Sequence, residues 1–99
     1  MKYLLNYNNL TTEDEPQIGD YVICKELSND PNLDYFIKTN IGQYLKKQYI
    51  SPYHVKYENI PNNINNRFTK DGFRGFNRNE IIAFSPNKEQ LESILKYNI

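Results

Sequence analysis

His54 is the only histidine of this 99-residue chain and Cys24 its only cysteine. A catalytic imidazole needs a nucleophile or a second carboxylate brought to it, and a metal site needs several His, Cys or carboxylate groups at ligand spacing. Neither pattern surrounds His54. It alternates with Tyr53, Val55 and Tyr57, which puts it with Lys56 and Glu58 on the outward side of an expected strand, where it reads as a surface or packing histidine. Cys24 shares a strand face with Val22, and free cysteine is among the most buried residue types. With no histidine or helix N-terminus beside it, it reads as core rather than nucleophile. Gly72 and Gly75 lack the Lys-Ser/Thr that would complete a phosphate loop. No catalytic residue, metal site or cofactor is expected, and the chain is read as a non-enzyme.

The strongest chemical concentration runs from Arg67 to Arg78. Arg67, Lys70, Arg74 and Arg78 are interleaved with Phe68, Phe73 and Phe76, and no arginine occurs elsewhere. Stacking rings alternating with phosphate-pairing guanidinium groups could hold single-stranded nucleic acid or a nucleotide. The more economical alternative places Phe68 and Phe76 in the core and leaves the cations to solvate a hairpin. A second candidate surface is aromatic. Tyr35, Tyr44, Tyr49 and Tyr53 belong to a set of nine tyrosines, enough that some should be exposed. Tyrosine is enriched at interfaces because it buries a large area and keeps a polar tip. Scattered core and rim rings remain the default, since a cation cage needs several rings to converge.

The elements that must position these residues are mainly strands. Residues 1–16 form an N-terminal arm and an acidic linker, with Glu13, Asp14 and Glu15 before Pro16. Ile18 to Leu27 alternates as a strand with Val22 and Cys24 on one face and Tyr21, Ile23 and Leu27 on the other. Both faces are apolar, as in a strand shared between a main core and a covering element. Ser28 to Asn32 has turn composition. Leu33 to Lys38 fits either one helical turn or an extended stretch, and Thr39 to Lys47 a second strand in which Gly42 marks a tight bend or a close backbone approach. Tyr53 to Glu58 is the clearest strand, with Tyr53, Val55 and Tyr57 facing the core. The asparagine tract 62–66 reads as a solvated loop. Asp71-Gly72 is a hairpin-turn dipeptide within Arg67 to Phe76. Asn77 to Glu80 suggests a turn or 3₁₀ segment, and Ile81 to Phe84 a closing strand. Ser85 as N-cap and Pro86 at the first helical position open a helix over 86–97, packed through Leu91, Ile94 and Leu95.

Composition narrows the function classes. Twelve basic and twelve acidic residues leave no net charge, which argues against a protein that coats nucleic acid by counterion release. One cysteine excludes an internal disulfide and points to a reducing compartment, the cytoplasm of a host cell or a virion. No apolar run approaches the roughly 20 residues that span a bilayer, and Asn6, Asn8 and Asn9 interrupt the place where a signal peptide would be apolar. No membrane partner is expected. Fifteen Asn, eleven Ile, nine Lys and nine Tyr have AT-rich codons, and phages are among the sources with such genomes.

The succession Gly19-Asp-Tyr-Val22, Ile41-Gly-Gln43, Tyr53-His-Val-Lys-Tyr57 and Phe76-Asn-Arg-Asn-Glu-Ile-Ile82 resembles that of small SH3-like barrels, including KOW, Tudor and chromo-like modules. The resemblance covers residues 17–84. It implies a barrel of about five strands, with a Gly opening the second strand and a 3₁₀ turn before the last; residues 85–99, outside the resemblance, are the C-terminal helical segment expected to pack on that barrel. The opening Met-Lys-Tyr-Leu and the acidic stretch ending at Glu15 are similar to short leaders on phage-encoded small proteins, although Leu10 is followed by Thr-Thr-Glu rather than an apolar-x-Glu cleavage site. Together these imply a small interaction module of phage or viral origin, a virion component or an inhibitor of a host factor, binding a protein partner or itself. The alternative is a nucleic-acid or nucleotide binder using residues 67–78.

Overall fold

The structure, a computed structural model, describes residues 15–26, 29–47 and 52–98. Most of the expected N-terminal arm, Leu27 and Tyr49 lie outside the described residues. Five strands form one antiparallel sheet: β1 (Tyr21–Cys24), β2 (Gly42–Lys47), β3 (Tyr53–Lys56), β4 (Phe73–Phe76) and β5 (Ile81–Ser85). Their order is β4-β3-β2-β1-β5. Helix α1 (Pro31–Thr39) joins β1 to β2, and helix α2 (Lys88–Asn98) follows β5. A 3₁₀ helix over Asn62–Arg67 precedes β4, and a 3₁₀ turn over Arg78–Glu80 precedes β5. The domain is thus mixed α/β rather than mainly β. Its sheet is open among the described residues, with β4 and β5 at the two edges and no pairing that closes a barrel.

The helix α1 corrects the reading of Ser28 to Asn32 as a turn and of Leu33 to Lys38 as a single helical turn or strand. Asp30 is an N-cap whose carboxylate accepts from the N–H groups of Asn32 at 3.1 Å and Leu33 at 3.2 Å. Pro31 sits in the first turn, where its missing N–H has no helical partner to lose. Asp34 lies in the first turn and Lys38 in the last, each suiting the helix dipole. Leu33, Phe36 and Ile37 bury one face against the sheet.

The faces of the strands alternate with period two except at β-bulges such as that in the β1–β5 pair, where Ile81 and Ala83, two residues apart, reach opposite cores. Val22 and Cys24 face the larger core, with Tyr44, Tyr53, Val55, Phe76 and Ile81 from the other strands. Ile23 faces the opposite way into a smaller core with Ala83 of β5 and Leu91 of α2, flanked by Ile94 and Leu95. Strand β1 therefore separates two apolar layers, as its doubly apolar sequence implies. The asparagine tract departs from the solvated-loop reading. It winds into the 3₁₀ helix, and Ile64 within it is buried in the larger core.

Two local expectations are corrected. Residues 67–70 are not a strand, so Arg67 to Phe76 is not a two-stranded hairpin; β4 pairs with β3, and Asp71-Gly72 closes a tight turn with the Gly72 N–H donating to the Thr69 carbonyl at 2.9 Å. At the C-terminus the helix begins at Lys88, not Pro86. Asn87 directly precedes it and its side-chain oxygen accepts the Glu89 N–H at 2.9 Å, whereas Ser85 belongs to β5 and its hydroxyl bonds the Asn87 N–H and the Gln90 side chain.

Candidate functional site

The three arginines are each drawn to a different carboxylate of the chain. Arg67 meets the N-cap Asp30 at 2.9 Å. Arg74 sits on the inward side of β4 opposite Val55 and forms a forked pair with Glu26, its Nε donating to Oε1 at 3.2 Å and its Nη2 to Oε2 at 3.0 Å, while Nη1 donates to the Arg67 carbonyl at 3.0 Å. Glu26 is nearly buried in this pair. Two parallel N–H···O bonds make the Arg–carboxylate fork stronger and more directional than a single contact. Arg78 approaches Glu15 at 3.9 Å, donates to the Ile81 carbonyl at 3.1 Å, and lies 5.2 Å from the centre of the Phe84 ring.

The rings of the same segment separate. Phe68 packs edge-on against Phe36 and Tyr57, with ring centres 5.9 and 5.8 Å apart. Phe76 is 1% exposed. Lys70 is exposed in the turn. Only Phe73 belongs to neither core, although it is buried. The ring lies on the sheet's outer face opposite Lys56, with the Lys46 ammonium 4.5 Å and the Lys56 ammonium 5.9 Å from its centre. That cation–aromatic group joins β2, β3 and β4. It has no counterpart in the linear order of the sequence, because Lys46 and Phe73 meet only when β3 lies between their strands.

The tyrosine set also divides. Tyr44 and Tyr53 are core rings with centres 5.0 Å apart, and the Tyr53 hydroxyl donates to Glu15. Burial, then the Glu15 carboxylate, pushes the Tyr53 hydroxyl up to about 12. Tyr35 is exposed on α1, and Tyr49 lies outside the described residues. These tyrosines do not share one surface among the described residues.

Cys24 is fully buried, and burial pushes its thiol up to about 12, far from the range of a nucleophilic thiolate. His54 lies on the outer face between Lys46 of β2 and Gly75 of β4. No group of three or more His, Cys, Asp or Glu residues that could hold a metal ion occurs among the described residues. An open depression of about 390 Å³ lies beside the outer face, lined by His54, Arg67, Phe68, Phe73, Arg74 and Gly75. No helix among the described residues is long and apolar enough to cross a membrane. No family model, curated protein or solved structure matches this chain.

Proposed function

We propose that this chain acts by binding a protein partner, as a small non-enzymatic interaction module. The observation that carries the reading is the internal pairing of Arg67, Arg74 and Arg78 with Asp30, Glu26 and Glu15. A phosphate-binding segment would need those guanidinium groups free of carboxylates, and each pair here offsets the charge that counterion release requires. Surface contacts also suit a partner. Ile18, Tyr35 and Tyr97 are each more than 60% exposed, and tyrosine rings in particular anchor protein interfaces.

The strand order, the glycine opening β2 and the 3₁₀ turn before β5 support an SH3-like relationship whose barrel is opened between β4 and β5. The excess of Asn, Ile, Lys and Tyr, residues whose codons are AT-rich, fits a phage or viral source, in which such a module serves as a virion component or an inhibitor of a host factor. Recovery of the tagged protein from lysate of its own source cells, with and without nuclease, tests the reading. A defined protein partner that survives nuclease and moderate salt is expected. Recovery of only nuclease-sensitive material would instead favour the nucleic-acid alternative.

A further inference from the structure

The alternation that buries Tyr53 and Val55 turns His54 and Lys56 outward, and the strand registers bring neighbours to them from both sides. Lys46 stands opposite His54 across the β2–β3 pair, while Phe73 and Gly75 stand opposite Lys56 and His54 across the β3–β4 pair. Two ammonium groups therefore stand over one aromatic ring on a single sheet face, with His54 on the same face. Neither Lys46 nor Lys56 has a carboxylate within 4.0 Å among the described residues, in contrast to all three arginines. Glu58, which shares a small recess with Lys56, lies beyond ion-pair distance.

Building on the protein-binding reading, we propose that this outer face, where Lys46, His54, Lys56 and Phe73 converge, receives an acidic peptide segment of a partner protein. The ammonium groups, paired with no carboxylate among the described residues, supply the complementary charge, and the adjoining depression gives side chains room to seat. Peptide carboxylates fit better than nucleic acid. The Phe73 ring is 8% exposed and already engaged by the lysines, so it offers no free face on which a base could stack. The peptide lies across the face rather than extending the sheet through Phe73. The Phe73 N–H donates to the Thr69 hydroxyl at 3.0 Å and its carbonyl accepts the Thr69 N–H at 2.9 Å, which leaves no free backbone pair there for a further strand.

Fluorescence anisotropy at low salt, with a short labelled oligo-glutamate peptide and a labelled oligothymidylate of equal charge, tests the assignment on the full chain. The peptide is expected to bind, to shift the His54 imidazole resonances, and to lose about tenfold in affinity in the Lys46→Glu/Lys56→Glu variant. The oligothymidylate is expected to bind no more tightly than the peptide. Absent peptide binding, equal binding by the variant, or tighter oligothymidylate binding overturns the assignment. Circular dichroism checks the variant's fold; if it is unfolded, the neutralising Lys46→Gln/Lys56→Gln variant replaces it, with a loss of about threefold expected and unchanged affinity overturning the assignment. A lysate partner retained undiminished by a folded charge variant would also overturn this surface while leaving the binding reading intact. Failure to recover any protein partner would instead remove the binding reading.

Discussion

The Tyr57 hydroxyl is the one buried side-chain polar atom among the described residues with no hydrogen-bond partner. Its ring is held by Phe36, Phe68 and Phe76, and its hydroxyl interacts with the Cys24 thiol without the geometry of an ordinary hydrogen bond. Burial holds both groups in their neutral forms, raising the Cys24 thiol to about 12 and the Tyr57 hydroxyl well above its ordinary value. A buried hydroxyl without a partner destabilises the fold by its own desolvation. Tyr57→Phe keeps the ring contacts and removes that penalty, so urea unfolding should show stability unchanged or raised by about 1 kcal/mol. A comparable loss would show that the thiol contact is a stabilising hydrogen bond after all. The core positions of Cys24 and Tyr57 are legible from strand alternation. Their meeting is not, because Cys24 ends β1 and Tyr57 follows β3, with β2 between those strands. The same limit explains the arginines. Their spacing is visible in sequence, but Asp30 lies 37 positions from Arg67 and Glu26 lies 48 from Arg74.

At the scale of elements, the start of β2 is set by a side chain that is not there. A Cβ on Gly42 would lie 2.3 Å from Val55 Cγ1 and 2.9 Å from Tyr57 Cζ, closer than any ordinary contact, so the strand approaches β3 only as glycine. Gly42→Ala should destabilise the fold by about 2–3 kcal/mol through overpacking. In Gly42→Ala/Val55→Ala, the loss measured by urea unfolding should be smaller than the sum of the two single losses, because the valine methyl is the atom displaced. Additive losses would place the strain elsewhere. The need for a close approach at Gly42 is readable from a glycine inside an apolar alternation. So is the strand around Tyr53, where every second residue is apolar. The helix α1 is harder to read because Asn-Asp-Pro-Asn has the composition of a turn, and Asp30 and Pro31 serve equally well as cap and first helical residue. Ser85 presents the reverse case. It has the right type for a cap, yet pairing with Tyr21 retains it in β5 and passes the role to Asn87.

For the whole molecule, β1 and β5 are the shared wall between two apolar layers. Val22 and Cys24 project into the larger core while Ile23 projects beneath α2. The sequence signals this division through the two apolar faces of β1, but it does not determine whether the sheet closes. Closure depends on how β4 and β5 meet, and no local pattern in either short strand encodes that distance. The shared wall has a thermodynamic consequence. Stripping α2 from the sheet would expose Ile23 and Ala83, which are 1% and 2% exposed, on the very strands that form the larger core. The helix should therefore unfold with the sheet rather than peel away first. Leu91, 1% exposed at the centre of the smaller layer, provides the test. Leu91→Ala should lower stability by about 3 kcal/mol through lost burial and the cavity left behind. Near-ultraviolet circular dichroism follows Tyr44, Tyr53 and Tyr57 in the larger core, and far-ultraviolet circular dichroism follows the helices. The two signals should shift to the same lower denaturant midpoint in the variant. A tyrosine signal that stays at its original midpoint while helicity falls would mean that the layers are energetically separate, and that β1 joins them in space without coupling them.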